Sequence, residues 1–264
     1  MRISVPNRRL TSSVIDLRHF DHTGDPSTFP TSTKLIVGEG FKKDFFPGYP
    51  ADPKGHVLES DFEGREVMEV DFSSTDLIIG GFRAYDYFGD GSFYILDSPG
   101  HAIGHVNALA RTTAGPNSTF IHLGGDSLHH AGEIRPSEYL PIPDEIRPSP
   151  VPQTHASACP GHFFGPVLRE ESNSKPILEF QDPYAQTVED RKFGLIVDEP
   201  ALRETVKKDE RLDANEDVFT IIAHDWSLKG ILDEWPQDLN SWKEKGWKES
   251  TRWNFLRDFQ EACV

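Results

Sequence analysis

The residues of this chain that could do chemistry are imidazoles and carboxylates, and they recur in four short groups. These are His19-Phe20-Asp21-His22, Ser98-Pro99-Gly100-His101-Ala102-Ile103-Gly104-His105, Gly124-Gly125-Asp126 and Ala223-His224-Asp225. Each group lies at the end of a short apolar run, where a rigid element gives way to a loop, and such loops are where scaffolds hold ligands. Imidazole nitrogen together with carboxylate oxygen is a donor set suited to zinc, iron or manganese. A single strand-end histidine is ordinarily a capped or solvent-facing residue. Four groups sharing one placement point instead to a hydrolytic metal site assembled from scattered strand ends.

The elements that must carry these groups are short. Residues 13–17, 34–37, 67–72, 77–79, 93–97, 105–110, 119–123 and 218–223 read as strands, from their β-branched and aromatic runs bounded by turn residues. Gly89-Asp90-Gly91 and Ala114-Gly115-Pro116-Asn117-Ser118 supply turns. Residues 41–46 read as one or two helical turns. Residues 199–213 read as a surface helix, with Leu202, Val206 and Leu212 among charges and Pro200 at the first helical position. Asn240-Ser241 offers a cap for a last helix carrying Trp242, Trp247, Trp253, Phe255 and Phe259, where the tryptophans are expected to anchor the core. Ten prolines between residues 135 and 185 exclude long helices there and predict a solvated, wandering segment or a rim over a site. Strands with interspersed helices, lacking a regular βαβ rhythm, predict an α/β layered sandwich that is not doubly wound.

Charge narrows the partners. The 264 residues hold 27 Lys+Arg against 43 Asp+Glu, a net charge of −16, which repels nucleic-acid phosphates and anionic membrane surfaces. No run approaches the roughly 18 apolar residues of a membrane span, and the first ten residues have no apolar stretch of a secretory signal. The expectation is a cytoplasmic protein, one domain over 1–264, acting on a small molecule. Cys159 and Cys263 lack any metal-binding or disulfide spacing and read as isolated thiols.

Taken in order, His19-x-Asp21-His22 with Thr23-Gly24, Pro99-Gly100-His101-x-x-Gly104-His105, Gly124-Gly125-Asp126 and Ala223-His224-Asp225 resemble the metallo-β-lactamase superfamily. Within it the chain is similar to the branch of acyl-homoserine lactonases and fungal lactamase-like hydrolases, from about Ser13 onward. The resemblance implies a four-layer αβ/βα sandwich with a centre of two metal ions, usually zinc, that opens a cyclic amide or ester with a bridging hydroxide. It assigns His19 and His101 to the first metal, Asp21, His22 and His224 to the second, and Asp126 to both. It also implies that Asp21 orients the hydroxide. His129 stands where the lactonase branch has a tyrosine, three residues after the bridging aspartate, and is implied to donate to the substrate carbonyl. His105 and Asp225 are implied to support ligands without being ligands, and His122, His130, His155 and His162 match no family position.

Two departures accompany the resemblance. The first histidine of the family motif falls on Leu17, which cannot coordinate a metal, so one ion or two is expected. Only 16 residues precede Leu17 where the family carries several strands, so the first sheet is expected to be incomplete. A catalytically impaired family member is the alternative expectation, and an acidic binding protein with incidental histidines is a third.

Overall fold

The computed structural model describes residues 12–179, 196–234 and 236–264. The chain forms two compact units. The first comprises the described parts of Met1–Tyr87, Tyr94–Asn107 and Asp182–Thr205, the second those of Phe88–Phe93, Ala108–Gln181 and Val206–Val264.

The first unit is built on a parallel sheet of β1 (Ser12–Val14), β2 (Lys34–Val37) and β3 (Val67–Glu69), in that order. Leu35, Ile36 and Val37 of the middle strand are all buried, as a strand covered on both faces requires. Parallel neighbours cannot be joined by a tight turn, so long crossovers connect them. The first holds α1 (Phe20–Thr23); the second holds α2 (Phe41–Phe45) and α3 (Glu59–Phe62). Phe41, Phe45 and Val57 close over Ile15, Leu35 and Val37 to form the core. The His19–His22 group therefore lies in the crossover that leaves β1.

A meander of β4 (Ile78–Ile79), β5 (Phe82–Asp86) and most of β6 (Phe93–Asp97) completes this unit. Gly80 and Gly81, both at positive φ, make the two-residue turn between β4 and β5. β5 was not expected from the sequence, although its alternation of buried Phe82 and Ala84 with exposed Arg83 carries the signal. The strand expected over 67–72 stops at Glu69, because the Asp71 side chain accepts from the Ser73 amide and starts a 3₁₀ turn.

In the second unit the antiparallel pair of most of β7 (Val106–Arg111) and β8 (Phe120–Leu123) is extended by β11 (Val218–Ile221), which runs parallel to β8. Ile121, Phe219, Leu228, Trp242 and Trp247 form one core cluster. The proline-rich segment corrects the expectation of a solvated insertion. Among the described residues it holds no long helix, and β9 (Glu145–Ile146) pairs with β10 (Cys159–Pro160). Yet Ile142, Ile146, Val151, Cys159, Phe164 and Ile177 pack with Trp253, Phe255 and Leu256 into a core of their own.

The expected helix over 199–213 is α4 (Glu199–Ala214). The last helix is shorter than expected: α5 (Trp247–Thr251) starts at the left-handed Gly246, not at Asn240-Ser241, and a 3₁₀ segment, Asn254–Cys263, follows. Trp242, Trp247 and Trp253 are core anchors, Trp226 is exposed, and Trp235 lies outside the described residues. Lys248 of α5 is buried and donates to the carbonyls of Asp213, Asn215 and Val218, closing the C-terminus of α4.

A buried histidine in this unit sets a pH dependence. His122 of β8 pairs with Thr220 of β11, and its Nε2 lies 3.4 Å from Oδ1 of the equally buried Asp209. Burial pushes this imidazole down to about 4 despite the charge of Asp213, so it stays neutral in the folded chain. An unfolded histidine titrates near about 6.5. Between those values the unfolded chain binds a proton that the folded chain refuses, so stability falls as pH drops through that window. Melting temperature followed from pH 7.5 to about 4.5 should fall more steeply in the wild type than in His122→Gln; equal slopes would locate the acid sensitivity elsewhere.

Candidate metal centre

The first unit carries two of the four groups. β1 ends at Val14, and Asp16 is tied down by its carbonyl, which accepts from the amide of Val106 at 3.1 Å. The chain then turns through the single helical turn of α1, with His19 as its N-cap. His22 is held from one side: its Nδ1 lies 3.1 Å from Oδ2 of Asp16, while its Nε2 faces Oδ2 of Asp21 at 3.7 Å. A carboxylate on one ring nitrogen, which leaves the other for an ion, is how ligating histidines are oriented. Asp16 is the supporting residue that the sequence reading missed. An acid immediately ahead of the histidine group was the available signal.

His101 meets His19 in the same unit. Nε2 of His101 lies 3.2 Å from Nδ1 of His19, with the rings edge-on at 85° and 4.9 Å between centroids. His101 is fully buried. Its approach depends on Gly100, at φ 127°, where a Cβ would fall 2.2 Å from the backbone nitrogen of Leu202 at the start of α4. Only glycine lets the loop lie this close to the helix backbone. His105 is buried with its Nδ1 2.8 Å from the Ser98 carbonyl, so it braces the loop. Leu17 is likewise fully buried, an alkyl group where the family motif has a donor.

The second unit carries the other two groups, and strand register brings them together. Ile221 pairs with Leu123 in parallel. Continuing three residues past each strand end sets His224 beside Asp126, and two backbone bonds hold the extension: Gly124 N–H to Ile221 O at 2.9 Å and Ala223 N–H to Gly125 O at 3.1 Å. Nε2 of His224 lies 3.2 Å from Oδ1 of Asp126. His129 reaches the same carboxylate, with Nε2 3.7 Å from Oδ2, and its ring stacks on that of His224 at 5.2 Å and 11°. The side chain of Asp126 is 3% exposed, whereas the two imidazoles are 39% and 37% exposed. Asp225 accepts from the Ser227 amide and caps a 3₁₀ turn.

The four histidines that match no family position lie apart from these sets. His122 is the buried residue beside Asp209, His130 contacts Asp258, and His155 packs edge-on against Phe163. His162 is exposed. The structure thus joins His19 with His101 and Asp21 with His22 in one unit, and Asp126 with His224 and His129 in the other. Each set mixes or pairs nitrogen and oxygen donors at ligand-like separations, so the residues present fit a zinc-, iron- or manganese-type ion.

No family model matches the chain. Among curated proteins, a gamma-lactamase of Fusarium pseudograminearum is 48% identical over 242 residues, 91% of this chain and 56% of its own length. A metallo-hydrolase of Annulohypoxylon moriforme is 46% identical over 244 residues, 92% of this chain and 60% of its own. A gamma-lactamase of Gibberella moniliformis is 58% identical over 162 residues, 61% of this chain and 67% of its own. The chain therefore spans little more than half the length of the first two relatives.

Proposed function

This chain belongs to the metallo-β-lactamase superfamily, and we propose that it is a metal-dependent hydrolase opening a small cyclic amide or ester. The observation that carries the proposal is the buried carboxylate of Asp126 flanked by two imidazoles at the ends of adjacent parallel strands. Two relatives are named gamma-lactamases, which makes a five-membered lactam, or the lactone of the same ring, the substrate to try first. Residues 1–264 are taken as one catalytic domain of a cytoplasmic protein.

In this reading His19, His101, Asp21, His22, Asp126 and His224 are the metal ligands, with zinc the expected ion. When bound, such an ion would bring the pKa of coordinated water down to about 7 and polarise the carbonyl under attack. The chain's own groups do the rest. Asp16 fixes the tautomer and tilt of His22. Asp21, 38% exposed at its side chain, accepts a proton from the attacking water and orients it. Glycine at position 100 keeps the His101 loop against the start of α4, so that donor is preorganised.

The test uses full-length protein purified without chelator. Bound zinc, iron or manganese, together with metal-dependent opening of γ-lactams or γ-lactones, is the expected result. Absence of all three ions after reconstitution, with no ring opening, would end the proposal. A second reading, an impaired member, is motivated by Leu17, buried and apolar at a ligand position. Leu17→His separates the two. The hydrolase reading expects unchanged metal content and turnover; a several-fold rise in either would mark the natural chain as impaired.

A further inference from the structure

We propose that a cavity beside the 3₁₀ segment Gly161–Val167 binds a small organic ammonium ion, an amine with an apolar body. The cavity measures about 400 Å³, within the range of about 300–1,000 Å³ that small-molecule sites occupy. Its lining belongs wholly to the proline-rich segment of the second unit and shares no residue with the candidate metal ligands. Binding here is therefore independent of the proposed hydrolysis.

Ile142, Pro143 and Leu168 supply the apolar wall. Ile142 is part of the buried core of this segment and Leu168 packs against it, so the core fixes that wall. Asp144, His162 and Asn173 line the same space and are all exposed, which puts them where solvent enters. Among the described residues, no hydrogen bond or ion pair of the chain engages any of these three side chains. Each keeps its hydrogen-bonding capacity for a ligand. Asp144 is the one acid of the lining, and neither lysine nor arginine faces it there. An ammonium is its complement, a compact charge with donors and no acceptor. The net charge of −16 disfavours an anion at the same place.

The walls are tied before any ligand arrives. The Gly161 amide donates to the Asp144 carbonyl and the Ile142 amide to the Asn173 carbonyl, both at 2.8 Å. A Cβ on residue 161 would fall 1.9 Å from the Pro143 carbonyl oxygen, so only glycine lets the two walls come this close. Such preorganisation lowers the ordering cost of binding. Gly165 also lines the cavity, but no atom lies within 4 Å of where its Cβ would stand, so a larger side chain there enters open space.

Ligand-observed NMR titration of the full chain with phenethylammonium, its neutral counterpart phenethyl alcohol and the acid hydrocinnamate tests the assignment. Wild type should bind the ammonium in the millimolar range, the alcohol at least about tenfold more weakly and the acid not detectably. Asp144→Asn, an exposed and nearly isosteric change that should leave the melting temperature unaltered, should bring the ammonium to the level of the alcohol. Gly165→Phe should abolish binding of both, and a melting temperature matching wild type would show that the cavity was filled without loss of the fold. Ammonium binding at wild-type strength in either variant would place it elsewhere on the acidic surface and overturn the proposal. So would alcohol or acid binding as tight as the ammonium in wild type, or no binding of the ammonium at all.

Discussion

Asp126→Asn is expected to weaken metal binding at least about 100-fold while leaving the fold intact. Asparagine keeps the shape of a side chain that is almost wholly buried, but it removes the charge that two ions would share and one of the two anionic oxygens facing His224 and His129. Changes to residues that merely support ligands cost about 10–100-fold in metal affinity, so loss of the shared ligand should cost at least about 100-fold. The consequence can be read thermodynamically. A ligand at about 100 times its Kd stabilises the folded state by about 2.7 kcal/mol, and a 100-fold weaker affinity at the same concentration leaves about 0.4 kcal/mol. Zinc should therefore raise the melting temperature of the wild type clearly and that of Asp126→Asn hardly at all. Equal shifts would remove Asp126 from the centre.

The largest effect on stability is expected at Arg135, far in character from the chemistry. Its guanidinium binds Asp213 through two contacts, Nε to Oδ2 at 2.7 Å and Nη2 to Oδ1 at 2.5 Å, and donates through Nη1 to the Arg252 carbonyl at 3.0 Å. Both side chains are under a tenth exposed. Burial alone would raise the Asp213 carboxyl; the neighbouring guanidinium overcomes it and holds the group below its ordinary value. Arg135→Met would leave that carboxylate buried without its main counter-charge, a loss that costs about 3–5 kcal/mol. At about 2–4 °C per kcal/mol for a chain of this size, melting should fall by about 6–20 °C. Arg135→Met with Asp213→Asn should recover part of the loss, because no uncompensated charge remains. If the double variant is no better than the single, packing and not the ion pair is what Arg135 contributes.

These two sites mark what the sequence could and could not disclose. Strand ends were legible because apolar runs stop abruptly at Gly124-Gly125-Asp126 and Ala223-His224-Asp225. Once β8 and β11 pair in parallel, register alone puts His224 next to Asp126. The helix over 199–213 was legible from its apolar spacing. The partners of its buried aspartates were not, because Asp209 meets His122 and Asp213 meets Arg135 across long stretches of chain that no local pattern encodes. The proline-rich segment misled for a related reason. Proline disfavours long α-helices, but it does not forbid burial, and Ile142, Val151 and Phe164 form a core with only two short strands and 3₁₀ turns around them. Asp16 escaped notice because its role depends on the angle at which the His22 ring returns over it, which spacing does not fix.

The central claim is that this chain holds a metal ion at the Asp126 carboxylate, and anomalous diffraction at the absorption edge of the metal found in the purified protein tests it most directly. The account predicts peaks with nitrogen and oxygen ligands from His19, His101, Asp21, His22, Asp126 and His224 at about 2.0–2.2 Å. Peaks that touch none of these side chains, or a metal-loaded crystal with none near Asp126, would contradict it.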